Sequence, residues 1–258
     1  MCSVVILFRP RHDWPILLAA NRDEMADRPW APPSRHWSDR PNVVAGLDKL
    51  AGGSWLGIKD DGVVAGILNR VNSLGPLPGR RSRGELVLEA LDHADAAAAG
   101  AALGALDPAA YRSFNMVVAD DRSAFWLRNR GTEKGGAADR VEVMELPPGL
   151  SMITAHDRND PASRRIRTYL PRFRAAAVPD PADGPGGTWT EWEELLASRA
   201  FEAGGQSADA MAIVTDSGFE TVSSSLVALP SRRHGMLRPI WRFAGGRPGE
   251  RPYELVKL

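Results

Sequence analysis

Cysteine is almost absent from this sequence, in which Cys2 is the single thiol among 258 residues. One cysteine excludes both an internal disulfide and a zinc site built from several thiolates. A chain without disulfides suits a reducing compartment, and its first residues lack the basic start and long apolar core of a signal peptide. We therefore expect a cytoplasmic protein.

Charge of one sign and long apolar runs are also lacking. The 32 Lys+Arg are balanced by 32 Asp+Glu, so the chain has no excess of positive charge with which to bind nucleic acid. Apolar runs such as residues 4–8 and 15–20 are far shorter than the ~20 residues that span a bilayer. We expect no nucleic acid and no integral membrane association, and a small-molecule substrate or ligand as the partner.

Metal and nucleotide sites lack their usual patterns. The five histidines are scattered and show no His-x-x-x-His spacing, so we predict no metal site. The glycine pairs at 52–53 and 186–187 are not followed by the Lys-Ser/Thr of a phosphate-binding loop. No cofactor is required by any of these patterns.

Strand pairs and blocks of helix follow one another without βαβ alternation, which favours antiparallel sheets covered by helices in a single domain over residues 1–258. Short apolar runs separated by turn residues predict hairpins at 4–8 with 15–20 and at 55–58 with 63–68. Further strands are predicted at 114–119, 124–128 and 141–146, with a final pair at 210–215 and 223–229. Helices are predicted at 82–91 behind a Ser-x-x-Glu capping box, at 94–106, at 161–173 after Asp160-Pro161, and at 190–200. Residues 25–42 are predicted as a proline-rich crossing loop and 178–187 as a linker.

The position of Cys2 directly after Met1 has a chemical consequence. Removal of Met1 would place a free α-amine, with an unperturbed pKa of about 7.7–8.0, beside the thiol. Nucleophile and base would then belong to one residue, as in enzymes whose chain terminus activates its own side chain, and the ammonium form would lower the pKa of the thiol. The alternative is that position 2 simply tolerates many small residues.

Four polar residues, Asn21-Arg22-Asp23-Glu24, end the strand that should pair with the one after Cys2. A hairpin would bring Asp23 or Arg22 within reach of the thiol, to hold the amine or to hydrogen-bond a substrate. Because side chains alternate along a strand, Asn21 and Asp23 should share one face while Glu24 turns toward Arg28 or solvent. Without other information the same cluster fits a solvated set of ion pairs equally well.

Taken together, several motifs resemble the NRDE, or transport and Golgi organisation 2-like, family. The resemblance is dense over residues 1–131 and thin afterwards. It rests on Met1-Cys2, Leu17-Leu18-Ala19-Ala20-Asn21-Arg22-Asp23-Glu24, Arg28-Pro29, Gly46-Leu47-Asp48, Gly52-Gly53-Ser54-Trp55-Leu56-Gly57-Ile58, Ser82-Arg83-Gly84-Glu85-Leu86-Val87, Phe114-Asn115, Asn129-Arg130-Gly131 and Arg251-Pro252-Tyr253-Glu254.

The family is similar to N-terminal nucleophile hydrolases with an N-terminal cysteine, such as penicillin V acylase and bile salt hydrolase. That likeness implies an α+β fold, a four-layer αββα sandwich of two antiparallel sheets. It also implies that Cys2 is the nucleophile, that Asp23 holds its amine and that Asn69 is an oxyanion donor. Asn21, Arg22 and His156 are the candidate substrate-binding residues.

The chain departs from those acylases at three points. Ala20 stands where they have an arginine three residues before the aspartate. Their second asparagine is missing, and His156 or Asn159 is the candidate replacement, although His156 fits a loop imidazole bonded to Asp157 equally well. Their late arginine has no counterpart near residues 221–225.

Two functions follow from this comparison. The first is a cysteine amidohydrolase or acyltransferase acting on a small acyl amide. The second is a non-catalytic carrier of haem, lipid or acyl-CoA on the same fold, because eukaryotic members of the family are associated with haem trafficking and lipid homeostasis. A bound haem would be held non-covalently, with Cys2 or a histidine as axial ligand, because no Cys-x-x-Cys-His motif is present.

Overall fold

A computed structural model describes residues 2–131, 139–233, 235 and 237–258. The chain divides into two compact units, one of residues 1–28 with Pro148–Leu258 and one of Pro29–Pro147. They are called unit 1 and unit 2 below. The expectation of a single domain over 1–258 stays a prediction.

The described strands and helices are as follows. The strands are β1 (Ser3–Phe8), β2 (Ile16–Met25), β3 (Trp30–Ser34), β4 (Val43–Asp48), β5 (Leu56–Lys59), β6 (Val63–Asn69), β7 (Phe114–Ala119), β8 (Ala124–Asn129), β9 (Glu142–Glu145), β10 (Gly149–Ile153), β11 (Phe219–Leu229), β12 (Ile240–Ala244) and β13 (Glu254–Leu255). The α-helices are α1 (Glu85–Asp92), α2 (Ala96–Gly104), α3 (Arg164–Ala175) and α4 (Thr190–Ala197).

Unit 1 is built on a six-stranded antiparallel sheet in the order β10-β1-β2-β11-β12-β13. The predicted first hairpin is confirmed, with Ser3 opposite Asn21 and Phe8 opposite Ile16. The predicted pairing of 210–215 with 223–229 is wrong, because β11 pairs with β2 and β12, and 210–215 forms only the isolated bridge Val214–Glu220. Most of β11 is buried, which suits a central strand with a neighbour on each side.

Helices α3 and α4 pack on one face of this sheet. Their apolar side chains form one core with alternate residues of the central strands; its members include Val5, Leu17, Ala19, Leu226, Ile166, Tyr169, Phe173 and Trp192. Helix α3 begins later than predicted, because Ser163 caps it by accepting from the Ile166 amide, whereas Asp160 accepts from Ala162 in the preceding turn. The segment 178–187 lies inside unit 1 rather than at a unit boundary.

Unit 2 is a seven-stranded antiparallel meander in the order β3-β4-β5-β6-β7-β8-β9, with α1 and α2 packed against it. The hairpin of β5 and β6 and the strands β7, β8 and β9 were predicted. Strand β3 was not, because its Pro32 and Pro33 argue against a strand. They are accommodated at the edge of the sheet, where the register against β4 shifts between Ala31 and Ser34.

The predicted capping box before α1 is wrong. The helix begins at Glu85 with Gly84 as its N-cap, and Ser82 accepts a hydrogen bond from the Gly84 amide instead. The backbone at Gly84 packs directly against Gly53. A Cβ built on Gly53 would lie 2.4 Å from the Gly84 carbonyl carbon, so this packing requires a glycine at position 53. The two glycines therefore let two segments of backbone touch, with Ser54 donating from its amide to the Gly84 carbonyl.

The fold class is α+β with two antiparallel sheets, as predicted. Across the described ranges, every helix is too short or too polar to cross a bilayer.

Candidate active site

Cys2 directly precedes β1, and its thiol lies against β2. Its Sγ contacts the backbone carbonyl oxygen of Asp23 at 4.0 Å, and the residue is partly buried. The hairpin register produces this contact. Ser3 pairs with Asn21, so Cys2 and the residues after Asn21 lie side by side at the same end of the hairpin. Met1, whose removal the sequence predicts, lies outside the described residues.

The thiol and the Asp23 carboxylate use opposite faces of the sheet. Ser3 and Asp23 both contact Arg165 of α3, so they point toward the helices. Alternation along the strands then directs Cys2 and Arg22 to the other face. The thiol therefore meets the backbone of Asp23 rather than its side chain.

The Asp23 carboxylate is fully buried and is held from two directions. Its Oδ2 accepts from Arg165 Nη1 at 3.0 Å, and its Oδ1 accepts from Thr221 Oγ1 at 2.6 Å. Side-chain exposure is 4% for Arg165 and 0% for Asp23, so the pair is removed from water. Arg165 also donates to Ser3 Oγ at 2.6 Å and to the Ala208 carbonyl at 2.7 Å. One guanidinium thus fixes the start of β1, the end of β2 and residue 208.

Thr221 reaches Asp23 because β11 pairs beside β2. The two residues are opposite each other in the register, immediately before a shift that leaves Val222 without a partner across the strand. The Thr221 hydroxyl also accepts from the Ile213 amide at 2.9 Å. Its proton and one lone pair are therefore both engaged, and the hydroxyl is fixed as a donor to the carboxylate.

Asn21 shares the helix-facing side of β2 with Asp23, as predicted, but is engaged inside the protein. Its Nδ2 donates to the carbonyls of Leu196 and Met211, each at 2.9 Å, and its Oδ1 accepts from Ser224 Oγ at 2.7 Å. Both amide hydrogens are used, which leaves none for a substrate. The geometry thus gives Asn21 a structural role at the end of α4 in place of the expected substrate contact. Glu24 turns to Arg28, with 3.7 Å between Oε2 and Nε, as predicted.

Burial raises the pKa of the Cys2 thiol above its ordinary value, and the negative charge of Asp23 acts in the same direction. The positive charge of the chain's amino group, the hydrogen bond to the Asp23 backbone and the positive charge of Arg22 lower the pKa and offset part of this effect. Loss of hydration outweighs them while the amino group belongs to residue 1. The lowered thiol pKa expected from the sequence requires a free α-amine on Cys2 itself and stays a prediction.

The other two candidate residues, Asn69 and His156, belong to other segments of the fold. Asn69 ends β6 in unit 2, where it pairs with Phe114, so its expected role as an oxyanion donor stays a prediction. His156 is one third exposed, and the acid near its Nδ1 is Asp160 at 3.9 Å rather than the expected Asp157.

A cavity of about 510 Å³ in unit 1 adjoins the Asp23 network. It is lined by Thr154, His156, Ala162, Ser163, Arg164, Arg165, Gly204, Gly205, Gln206, Ala208 and Asp209. Arg165 thus lines this cavity while its guanidinium holds Asp23. The cavity lining contains charged and polar side chains and no large apolar one.

Comparison with known sequences decides the family. The family profile described as Transport and Golgi organisation 2 matches residues 1–168, which is more than half of the chain. The chain belongs to this family.

Curated relatives carry the same family name. They include the Transport and Golgi organization 2 homolog of Mus musculus, 32% identical over 127 residues, and that of Bos taurus, 34% identical over 129 residues. Each match covers 46% of this chain and 45% of the relative, so the chain aligns with about half the length of these Transport and Golgi organisation 2 proteins.

Solved structures extend the likeness to the whole fold. A Caenorhabditis elegans N-acylethanolamine-hydrolyzing acid amidase ortholog has a TM-score of 0.60 at 11% identity, covering 92% of this chain and 98% of that one. A variant of the conjugated bile acid hydrolase from Clostridium perfringens has a TM-score of 0.53 at 10% identity, covering 99% and 92%. At these identities the likeness shows the fold alone, and this Transport and Golgi organisation 2 family member has the N-terminal nucleophile hydrolase fold that the resemblance implied.

Sequence reasoning missed Arg165 and Thr221 in this family member. A signal for Arg165 was present, because it lies four residues before Tyr169 and eight before Phe173, on the apolar stripe of α3. An arginine in that stripe must find a buried anion. Thr221 carried no comparable signal, because its contact depends on the long-range pairing of β11 with β2.

Proposed function

We propose that the chain is a cysteine amidohydrolase, or a related acyltransferase, that acts on a small acyl amide through Cys2. The observation that carries the proposal is the contact of the Cys2 thiol with Asp23, a residue whose carboxylate is fixed by Arg165 and Thr221. The fold shared with two amidases supports it.

The reaction would begin after removal of Met1. The free α-amine of Cys2 takes the thiol proton, and the sulfur attacks the carbonyl carbon of the amide. The C–N bond then breaks, and the leaving amine takes the proton from the Cys2 ammonium. Water hydrolyses the resulting thioester, or a second nucleophile accepts the acyl group in a transferase.

The surrounding residues have separate roles in this scheme. Asp23 orients the amine, and Arg165 and Thr221 hold Asp23 in place. Arg22, on the thiol side of the sheet, binds the substrate and favours the thiolate. Asn69 donates to the oxyanion, and a donor of this kind contributes about 2.7–4 kcal/mol of barrier lowering. We place the reaction in the cytoplasm, in keeping with the single thiol of the sequence.

The test is hydrolysis of a panel of acyl amides by the purified full chain, with an N-acylethanolamine and a conjugated bile acid included. Cys2→Ser should abolish turnover, and Asn69→Ala should lower it roughly 100 to 1000-fold. The matched control is Asn42→Ala, at an exposed asparagine of unit 2, the unit that contains Asn69. It should leave turnover unchanged. Turnover that survives Cys2→Ser would refute the proposal.

One observation favours a carrier instead. Because burial raises the pKa of the Cys2 thiol, less thiolate is present at neutral pH than in an activated nucleophile. A carrier would bind haem, lipid or acyl-CoA with no turnover, and Cys2→Ser would leave the affinity unchanged unless sulfur is the axial ligand. Titration with haem, followed by its absorbance, separates the two proposals.

The cavity beside His156 does not fit haem. A macrocycle needs apolar walls, whereas Ala162 and Ala208 are the only apolar side chains among the residues that line this cavity. His156 is therefore not expected to bind haem there, and Cys2 or another histidine remains the candidate axial ligand of the carrier.

A further inference from the structure

The segment 70–84, between β6 and α1 in unit 2, presents apolar side chains to solvent. Val71, Leu74 and Leu77 are 46%, 46% and 37% exposed. They lie within seven residues, together with the exposed Pro76 and Pro78. Isolated exposed apolar residues are ordinary, whereas three on one short segment make that segment a candidate interaction surface. We call residues 70–84 the apolar loop.

The backbone of the apolar loop is already hydrogen-bonded where the side chains are exposed. Arg112 donates to the carbonyls of Asn72, Leu74 and Gly75. The Arg80 amide donates to the Leu77 carbonyl at 3.0 Å, and the two prolines have no N–H to satisfy. Because these carbonyls do not depend on water, the loop can enter a less polar medium without leaving them unpaired.

The base of the apolar loop is anchored to β7. The Ser73 Oγ lies 2.9 Å from the carbonyl oxygens of Arg70 and Ser113, which share its one proton, and Arg83 donates to the Ser113 carbonyl at 2.8 Å. Ser73 is fully buried while its neighbours on both sides are exposed. The exposed side chains therefore project from a fixed turn.

The charge of the apolar loop has one sign. Residues 70–84 contain four arginines and no Asp or Glu, although the chain as a whole is neutral. Arg112 adds a fifth guanidinium at the base, and Glu85, the first residue of α1, pairs with Arg81. Basic residues around a short apolar segment are the chemistry that binds anionic lipid headgroups.

We propose that the apolar loop docks the protein onto an anionic bilayer surface. Val71, Leu74 and Leu77 enter the boundary between headgroups and acyl chains, and the guanidinium groups of Arg80 and Arg81 contact lipid phosphates. Six consecutive residues, 74–79, are exposed, so this part of the loop is free to contact a fluid surface that offers no matching pocket. The inference does not depend on the chemistry of Cys2, and it would place an amide substrate of the membrane close to the protein.

The test is sedimentation of the full chain with vesicles of phosphatidylcholine alone or with 30% phosphatidylserine. We expect binding to the anionic vesicles at 0.1 M NaCl, weakened at 0.5 M NaCl because salt screens the arginines. The triple variant Val71→Ser, Leu74→Ser, Leu77→Ser should lower the partition coefficient at least about tenfold. The double variant Arg80→Gln, Arg81→Gln should weaken binding to anionic vesicles by a similar factor.

The matched control replaces three exposed apolar residues elsewhere, as Leu50→Ser, Val178→Ser, Phe201→Ser. It should bind vesicles within about twofold of the unchanged chain, and circular dichroism should show that all variants are folded. The proposal would be overturned by the absence of binding to anionic vesicles, by undiminished binding of the loop triple variant, or by an equal loss in the control. Capture of a protein partner by the loop in the absence of vesicle binding would also overturn it.

Discussion

Replacing Arg165 by methionine should destabilise the protein more than the same replacement of any exposed arginine would. Methionine fills much of the same volume but leaves the Asp23 carboxylate buried without the guanidinium that balances its charge. Breaking a buried ion pair from one side costs about 3–5 kcal/mol, against a total stability of about 5–15 kcal/mol for an ordinary domain. The lost hydrogen bonds to Ser3 and the Ala208 carbonyl are part of that figure.

Urea unfolding followed by tryptophan fluorescence measures this loss. Arg167→Met is the matched control on the same helix, because Arg167 is exposed and its partner Glu202 is only half-buried. This substitution should leave the unfolding free energy almost unchanged. If Arg165→Met proves too unstable to purify, Arg165→Lys keeps the charge and should fold with a smaller loss. A loss below about 1 kcal/mol for Arg165→Met, equal to the control, would refute the argument that this pair holds the site together.

Three further predictions follow from single contacts. Asn21→Ala should lower the unfolding free energy by roughly 2–4 kcal/mol in urea, because it leaves the Leu196 and Met211 carbonyls buried without their donor; a loss no larger than that of an exposed Asn→Ala variant would contradict this. Gly53→Ala should cost about 1–3 kcal/mol, because its Cβ would meet the Gly84 backbone; an unchanged melting curve would show that the contact can relax. Arg22→Gln removes a cation that lowers the pKa of the Cys2 thiol, so alkylation of Cys2 by iodoacetamide should shift to higher pH and be slower at pH 8. An unchanged pH profile would mean that Arg22 does not act on the thiol.

Local sequence patterns predicted the elements whose partners are close in the chain. The hairpins β1/β2 and β5/β6 follow from alternating apolar runs and short turns. The central position of β11 could not be predicted this way, because its partner β2 lies about two hundred residues earlier in the chain. Strand β3 was missed because prolines in an edge strand look like a loop until its neighbour β4 is known.

In the candidate site, too, local contacts could be predicted from the sequence and contacts between distant parts of the chain could not. The approach of Asp23 to Cys2 follows from the hairpin alone. That the contact uses the Asp23 backbone, while the carboxylate faces Arg165, depends on α3 packing against the opposite face of the sheet. The raised thiol pKa could not be predicted either, because burial is set by the packed chain and not by the two residues flanking Cys2.

The most direct test of the central proposal is the mass of the acylated protein. The full chain, purified from cells, is incubated with a p-nitrophenyl acyl ester and examined intact and after digestion. We expect a chain without Met1 that carries one acyl group on residue Cys2, held as a thioester when the reaction is stopped in acid, and no acyl group on Cys2→Ala. Retention of Met1 with no acyl group on Cys2 would contradict the proposed nucleophile.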